Sequence, residues 1–349
     1  MAGGVGSRFW PESRESMPKQ FLDILGTGET LIQQTYNRFK PFCDDSDFII
    51  VTNESYIDII LEQLPNIKRS QILAEPMMRN TAPCIAYAAY KIASINPEAN
   101  LIVTPADHIV LNQKEFERVV NLALDHTASN NQLLTFGIPP TRPDTGYGYI
   151  EYDSTASEIK KVIQFKEKPD MASAIKYVAK GSFSWNSGMF FWSLATILDA
   201  FEDHLPDIAR TFKKGMEFYN TDKEAEFINE VYPNCESISI DYGIMEKADN
   251  VFVINASIGW SDLGTWGSVY TRLNLDSNSN ACDNEKVVLK NVSNSLIKLP
   301  ENKVAIVEGL EGYIVVDTED ALLIVRKSKE QEIKKLREQV GKEFGKEYI

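Results

Sequence analysis

The sequence predicts an α/β protein: a doubly wound, mixed but mainly parallel sheet, followed by a small β unit and a terminal helix. Over about the first 140 residues, short apolar strands alternate with amphipathic helical stretches, as in a sheet covered by helices on both faces. The run Leu101–Val103 is continuously apolar, as expected of a strand buried on both faces. Beyond Arg272, β segments recur at a spacing of roughly ten residues, which predicts the small β unit.

The individual elements follow from the same periodicities. In the first part of the chain we expect strands at residues 48–51, 101–103 and 133–136, and helices at residues 55–64, 81–95 and 113–129. In the middle of the chain, the pattern predicts strands near residues 149–152, 161–165 and 189–192, followed by helices through about residue 232. After a polar linker at 276–280, strands at 287–289, 295–297, 304–307, 313–316 and 321–325 indicate a short β-helix, and a charged helix follows at 329–344. The predicted domains are a catalytic domain at residues 1–272 and a small β domain with its helix at residues 273–349.

Composition excludes several classes of partner. The net charge of −14 argues against binding to nucleic acid or to an anionic membrane. No apolar run approaches membrane-spanning length. The four cysteines are scattered without C-x-x-C spacing, which indicates free thiols in a reducing compartment, and we expect a cytoplasmic protein.

The chain begins with a glycine-rich loop, Ala2-Gly3-Gly4-Val5-Gly6-Ser7-Arg8, and Pro18-Lys19 follows. Glycines let successive backbone N–H groups converge on a phosphate, and Arg8 and Lys19 add positive charge. The loop lacks the Lys-Ser or Lys-Thr of a P-loop, and Phe9 stands where the dinucleotide fingerprint has its third glycine. The pattern therefore predicts a triphosphate cradle. A buried strand normally precedes such a loop, but the glycines begin at Gly3, so we expect that strand to be missing.

Two carboxylates are candidate metal ligands. Asp107 follows directly on the strand at 101–103, and Asp262 lies in the aromatic-flanked turn 258–266. Two carboxylates can hold one Mg²⁺ whose other ligands are phosphates and water. The alternative is structural, because Asp107 could form a turn and Asp262 could cap a helix beginning near Leu263.

Polar motifs that suit a sugar phosphate lie further along the chain. Glu167 could accept hydrogen bonds from sugar hydroxyls while Lys168 meets the phosphate, although both could equally be a solvated strand end. Asn186 could donate and accept toward vicinal hydroxyls, and the loop around Gly146 could close over a sugar. The loop 74–83 joins a strand to a helix, with Thr81 as its expected N-cap, and could read a purine edge.

Taken together, these motifs resemble the nucleoside-diphosphate-sugar pyrophosphorylases, and their particular residues are similar to those of the GDP-mannose pyrophosphorylases. The matching runs span nearly the whole chain in order: 2–8, 18–22, 75–83, 104–108, 165–169, 185–189, 239–247 and 260–266. The resemblance implies the Rossmann-like nucleotide-diphospho-sugar transferase fold. The cupin-like isomerase domain of the family's two-activity relatives has no counterpart here, so phosphomannose isomerase activity is not expected.

The resemblance implies that GTP and α-D-mannose 1-phosphate give GDP-mannose and pyrophosphate, with Mg²⁺ as cofactor. The implied catalytic residues are Arg8, Lys19 and Asp107, and the implied metal ligands are Asp107 and Asp262. The implied nucleotide-binding residues are Ala2, Gly3, Gly4, Gly6, Glu75, Arg79, Asn80 and Thr81. The implied sugar-phosphate residues are Gly146, Glu167, Lys168, Asn186 and Asp241, although Asp241 could instead orient or cap the helix at 244–247. The sequence shows no nucleophile, so direct transfer is expected rather than a covalent intermediate.

Two alternatives stay open. One is a related nucleotidyltransferase that uses another base or another sugar 1-phosphate. The other is a non-catalytic regulatory subunit that binds nucleotide sugar, although such a chain would be expected to have lost Lys19, Asp107 or Asp262. We expect small-molecule substrates, no nucleic-acid or membrane partner, and a homodimer.

Overall fold

The computed structural model describes residues 1–282 and 284–349. Its α-helices are α1 (Leu31–Phe39), α2 (Ile57–Gln63), α3 (Thr81–Ala93), α4 (Gln113–Ser129), α5 (Met171–Lys180), α6 (Leu194–His204), α7 (Pro206–Lys213), α8 (Glu224–Val231), α9 (Trp266–Tyr270) and α10 (Ile333–Glu343). Its strands are β1 (Ile50–Asn53), β2 (Ile72–Glu75), β3 (Asn100–Val103), β4 (Leu133–Ile138), β5 (Tyr149–Tyr152), β6 (Ile159–Lys166), β7 (Phe183–Ser193), β8 (Val251–Asn255), β9 (Ala281–Cys282), β10 (Val287–Lys290), β11 (Leu296–Lys298), β12 (Ala305–Glu308), β13 (Tyr313–Asp317) and β14 (Leu322–Arg326).

The chain forms two compact units. The first comprises Met1–Gly3, Arg38–Pro105 and Val110–Trp260. The second comprises Gly4–Asn37, Ala106–Ile109 and Ser261–Ile349. The division of the sequence into domains at residue 272 stays a prediction. No helix among the described residues is long and apolar enough to cross a membrane.

The first unit is built on a six-stranded mixed sheet in the order β3-β7-β4-β8-β6-β5, with β5 also paired to β7. The predicted α/β class with a mixed sheet is confirmed. The expected predominance of parallel pairs is not seen in this sheet, where β4 and β8 are parallel and the other pairs are antiparallel. Two strands account for these antiparallel pairs: the long strand β7 runs antiparallel to β3, β4 and β5, and β6 runs antiparallel to β5 and β8.

A separate parallel pair, β1 with β2, also belongs to the first unit. The start of the chain bonds to β1 and to the residue that follows β3. The Ala2 N–H donates to the Val51 carbonyl at 2.8 Å, and the Met1 amino group donates to the Thr104 carbonyl at 2.9 Å. These bonds fix where the glycine loop starts, alongside β1.

Aromatic side chains fill the core of the first unit on both sides of the sheet. On one side, Trp192 of β7, Phe201 of α6 and Phe212 of α7 are fully buried, and α3 packs against α6 and α7. On the other, Phe116 of α4 packs near Phe136. Each buried aromatic of this size removes on the order of 150–250 Å² from water, so this core gives the polar site residues a rigid support.

The second unit contains the predicted short β-helix. Strands β9, β11 and β13 are parallel rungs, β14 adds antiparallel to β13, and β10 pairs with β12 in a second layer. Paired residues such as Val287 and Ala305 lie one 18-residue coil apart. Each coil contributes two strands, so successive strands begin roughly ten residues apart in the sequence. The terminal helix begins later than expected, because residues 327–332 form a 3₁₀ turn before α10.

Candidate active site

The glycine loop closes tightly on Lys19 within the second unit. Gly4 and Gly6 have φ angles of +92° and +68°, which favour glycine. A Cβ added to Gly6 would lie 2.5 Å from the Cβ of Lys19, and the Lys19 N–H donates to the Val5 carbonyl at 3.3 Å. Gly6 therefore needs both its backbone conformation and its missing side chain, and the loop and Lys19 form one structural feature.

The Lys19 ammonium joins three of the segments that the sequence singled out. The residue is 5% exposed, and its Nζ contacts the Asp107 carboxylate at 2.9 Å. The same Nζ donates to the carbonyl oxygens of Asp262 and Leu263, at 2.8 and 3.1 Å. An ammonium has three donors, so Lys19 uses all of them on these acceptors.

Asp107 is held as a carboxylate. Burial alone would raise its pKa, but the charges of Lys19 and His108 outweigh that effect and lower it. The Nε2 atom of His108 lies 3.7 Å from the second carboxylate oxygen. An ionised oxygen donor of this kind suits a hard divalent cation.

A small β-bridge fixes the spacing between Asp107 and Asp262. Ile109 and Ser261 exchange backbone hydrogen bonds of 2.9 and 3.1 Å, two residues after Asp107 and one before Asp262. Leu263 then adopts a φ of +43°, which turns its carbonyl group and that of Asp262 toward Lys19. The sequence contains no signal for this bridge, because its two strands are single residues more than 150 positions apart.

Thr265, and not Asp262, caps helix α9. The Thr265 side chain accepts from the Ser268 N–H, and the Ser268 hydroxyl bonds back in a capping box. Asp262 accepts instead from the Gly264 N–H at 3.2 Å. Among the described residues, no three His, Cys, Asp or Glu side chains cluster as a metal site.

Arg8 is exposed on the 3₁₀ turn Ser7–Phe9, where its guanidinium can reach an anion in solvent. Phe9, directly after it, is buried edge-to-face against Trp266, with ring centroids 5.1 Å apart. The aromatic contact fixes the loop and leaves Arg8 on its outer side.

The sugar-binding candidates gather in the first unit around Asn186, on β7. Its Nδ2 donates to Asp241 at 2.8 Å, and its Oδ1 accepts from the Gly188 N–H at 3.1 Å. Asp241 begins a short π-helix, Asp241–Met245, a feature often found at functional sites. Burial, and to a smaller extent the negative charge of Glu167, raises the pKa of Asp241 to about 7. The hydrogen bond from Asn186 acts in the opposite direction and lowers the pKa.

Glu167 and Lys168 form an ion pair of 3.0 Å at the end of β6, and Lys168 has a φ of +46°. A Cβ on Gly148 would overlap the Glu167 carboxylate, so this glycine is required for Glu167 to lie where it does. The Glu167 N–H donates to Glu246 at 3.2 Å. Gly146, by contrast, is exposed in a turn and donates to Asp144 at 2.9 Å. Gly148 and Glu246 are not among the residues predicted from sequence, although Gly148 lies in the same glycine-rich loop as Gly146.

Glu75 ends strand β2, is 6% exposed, and accepts a hydrogen bond from the Tyr232 hydroxyl. Burial raises its pKa despite that bond. A Cβ on Gly3 would lie 4.0 Å from the Glu75 carboxylate, so the first glycine and Glu75 are neighbours. Ala2 beside them is buried, at 1% exposed. Tyr232 was not found from sequence, because it is 157 positions away from Glu75.

The loop after Glu75 bonds to the segment that leads to Asp241. Arg79 donates to the Pro233 carbonyl, and the Thr81 hydroxyl accepts from the Ile240 N–H at 2.8 Å. The N-cap of α3 is Asn80 and not Thr81, because Asn80 has a φ of +67° and its side chain accepts from the Thr81 N–H. The helix begins at Thr81, as predicted.

Comparisons with known proteins agree with this geometry. A family model described as nucleotidyl transferase matches residues 1–279, and one described as MannoseP isomerase/GMP-like beta-helix domain matches residues 285–340. The mannose-1-phosphate guanylyltransferase of Escherichia coli is 34% identical over 96% of this chain and 72% of that protein. The alginate biosynthesis protein AlgA of Pseudomonas aeruginosa is 37% identical over 96% of this chain and 70% of its own length.

A solved structure shows the same fold. The Thermus thermophilus protein described as mannose-1-phosphate geranyltransferase superimposes with a TM-score of 0.88 at 29% identity, covering 97% of each chain. The resemblance inferred from the motifs is confirmed. The chain belongs to the nucleotidyl transferase family and ends in a β-helix domain of the mannose-phosphate isomerase and GMP type.

Proposed function

We propose that this chain is a mannose-1-phosphate guanylyltransferase, which converts GTP and α-D-mannose 1-phosphate to GDP-mannose and pyrophosphate as a homodimer. One observation carries the proposal: a buried lysine next to a glycine loop bonds both to Asp107 and to the turn that holds Asp262. The relatives at 34% and 37% identity support the choice of substrates.

In this proposal the second unit binds the triphosphate. The backbone N–H groups of the loop from Gly4 to Gly6, together with Arg8, contact phosphate oxygens. Lys19 stabilises negative charge at the α-phosphate. Because its three donors are already in use, the phosphate must replace one of the carbonyl acceptors, Asp262 or Leu263.

Nucleotidyltransferases of this family generally use a divalent metal. We propose Mg²⁺, with Asp107 and Asp262 as its protein ligands, since both offer hard oxygen donors beside a phosphate-binding loop. The ion would supply charge neutralisation for the pyrophosphate leaving group. Because Asp107 is kept ionised by Lys19, it is ready to bind a cation at neutral pH.

In this proposal the first unit binds the sugar phosphate and the base. Asn186 is held by Asp241, and its oxygen already accepts from the Gly188 N–H and the Thr135 hydroxyl, so its second amide hydrogen is the group that can contact a sugar hydroxyl. Glu167 accepts from sugar hydroxyls, Lys168 contacts the sugar phosphate, and Gly146 lines the pocket. Glu75 and the segment Arg79–Thr81 contact guanine, where a carboxylate can accept from the donors of the base edge.

The reaction needs no general base, because a sugar phosphate oxygen is already an anionic nucleophile. The task of the protein is to align that oxygen with the α-phosphorus and to stabilise the charge that develops there. We therefore propose direct in-line displacement without a covalent intermediate.

The test is pyrophosphate release with Mg²⁺, mannose 1-phosphate and each of the four ribonucleoside triphosphates in turn. We expect release with GTP alone, and far slower release when glucose 1-phosphate replaces mannose 1-phosphate. Release with another nucleotide would keep the fold and mechanism but change the base specificity. Nucleotide-sugar binding without release under any combination would favour a regulatory subunit instead.

A further inference from the structure

A short turn after helix α8 holds the loop that follows strand β2 at two points. The turn is the 3₁₀ segment Tyr232–Asn234. The Tyr232 hydroxyl donates to the Glu75 carboxylate where the loop starts, and the Pro233 carbonyl accepts from the Arg79 guanidinium near its end. Two neighbouring residues of one turn therefore fix both charged side chains of the segment that we propose to contact guanine.

The contact between Tyr232 and Glu75 is buried on both sides. Tyr232 is fully buried and Glu75 is 6% exposed. The Tyr232 ring packs edge-to-face against Phe212, with ring centroids 5.9 Å apart, so the aromatic core holds the hydroxyl against the carboxylate. Burial, together with the charge of Glu75, raises the pKa of Tyr232. The phenol therefore stays protonated and remains a hydrogen-bond donor at any working pH.

The Tyr232 hydroxyl orients the Glu75 carboxylate without exhausting it. Tyr232 donates to Oε1, and Oε2 lies on the side of the glycine loop, 4.0 Å from where a Cβ of Gly3 would stand. An ionised carboxylate has about four lone-pair positions, so it can accept further hydrogen bonds. Burial raises the pKa of Glu75, and the hydrogen bond from Tyr232 opposes that shift. The tyrosine thus favours the ionised form, which only accepts hydrogen bonds.

An acceptor in a fixed orientation distinguishes purines by the donors that they carry. Guanine has an exocyclic 2-amino group, which donates hydrogen bonds, and adenine has no donor at that position. A site that is built to bind such a group rejects an analogue that lacks it, because the buried acceptor is then left unpaired. How firmly the carboxylate is held therefore bears directly on base specificity.

We propose that Tyr232 is a positioning residue for base recognition, which holds the Glu75 carboxylate so that it accepts from the 2-amino group of guanine. Tyr232 acts through Glu75 and does not touch the nucleotide, because its side chain is fully buried. This inference rests on the proposed guanylyltransferase function. It adds the residue that secures the preference for guanine over purines without the amino group.

The test measures the binding of GTP and of inosine triphosphate to the full chain by isothermal titration calorimetry. Inosine triphosphate has the same sugar and phosphates as GTP and lacks only the 2-amino group. We expect the wild type to bind GTP at least ~10-fold more tightly than inosine triphosphate. Tyr232→Phe keeps the ring and loses only the hydroxyl. In this variant GTP binding should weaken at least ~5-fold, while inosine triphosphate binding stays within ~2-fold of the wild type.

The matched control is Tyr219→Phe, which removes another buried hydroxyl from the same aromatic core. The Tyr219 hydroxyl donates to the Phe212 carbonyl at 2.8 Å, and so has a different acceptor from that of Tyr232. Both affinities should stay at their wild-type values in this variant. Thermal melting followed by circular dichroism checks that each variant is folded.

A double-mutant cycle tests whether Tyr232 acts through Glu75. In Glu75→Ala the hydroxyl has no carboxylate to position. Adding Tyr232→Phe to that variant should therefore leave the ratio of the GTP and inosine triphosphate affinities unchanged. A further fall in the ratio in the double variant would overturn the proposal.

Equal weakening of GTP and inosine triphosphate binding in Tyr232→Phe would assign the hydroxyl a purely structural role and would overturn the proposal. A wild type without a preference for GTP would overturn it as well, as would the same loss of preference in Tyr219→Phe. These titrations need no turnover and no sugar phosphate. Failure of the proposed reaction is therefore detected separately, by the pyrophosphate assay on the same preparations.

Discussion

Asp241→Asn should make the stability of the protein less dependent on pH. The Asp241 pKa is raised from 3.8 to about 7, mainly by burial and also by Glu167. A carboxyl group with a raised pKa in the folded state stabilises the fold fully below its unfolded pKa. That contribution is lost as the pH rises through the folded value. At 1.36 kcal/mol per pKa unit, the total loss is about 4 kcal/mol above pH 7.

The working range is pH 5 to pH 8. Over this range the linkage relation gives a loss of about 2 to 3 kcal/mol in the wild type from this group alone. Asparagine is nearly the same size and cannot ionise, and its Oδ1 can still accept from Asn186. Between pH 5 and pH 8, the free energy of unfolding of the variant should therefore rise by about 2 to 3 kcal/mol relative to that of the wild type.

The assay is urea unfolding followed by tryptophan fluorescence, with the wild type and the variant measured in the same buffers. Taking the difference between the two proteins at each pH cancels the titrating groups that do not interact with Asp241. Asp207→Asn is the control, because that side chain is 90% exposed and the substitution removes one carboxylate without touching Asp241, Asn186 or Glu167. The reasoning would be refuted if the difference in free energy of unfolding between the two proteins stayed constant with pH. It would also be refuted if the wild type became more stable relative to Asp241→Asn as the pH rises.

Three further predictions concern the Lys19 site. Lys19→Ala should lower the rate of pyrophosphate release at least ~100-fold while the protein stays folded. Lys19→Arg should not restore the rate, because the buried site, with its three acceptors around one nitrogen, suits a compact ammonium and not a planar guanidinium. Wild-type turnover in Lys19→Ala would contradict the proposed mechanism. Gly6→Ala should lower the unfolding free energy measured in urea by about 1–3 kcal/mol, because residue 6 has a positive φ and a new Cβ would contact Lys19. Gly28→Ala is the control and should cost less, because Gly28 also has a positive φ but has no atom within 4 Å of the added Cβ. Chelation with EDTA should abolish turnover and added Mg²⁺ should restore it, while an unchanged rate in EDTA would exclude a metal at Asp107 and Asp262.

Local sequence signals predicted much of the fold. The helix at Thr81 begins where the pattern indicates, and the strands of the β-helix lie within a residue or two of their predicted positions. Periodicity works here because each of these elements buries one face or one stripe. The direction of strand pairing was less predictable, because an apolar run such as β7 reads the same whether its neighbours are parallel or antiparallel.

The sequence by itself indicated the candidate phosphate loop, the two candidate carboxylates and most of the helices and strands, because each depends on residue types at short spacing, but it gave no sign of strand β8. Only the tertiary structure decided that Lys19 bonds to Asp107 and to the 262–263 turn, through a bridge between Ile109 and Ser261. The pairing of Glu75 with Tyr232 is a second such case. Contacts of this kind join residues that are far apart in the chain, and they form only when the packed core of a unit brings distant segments together.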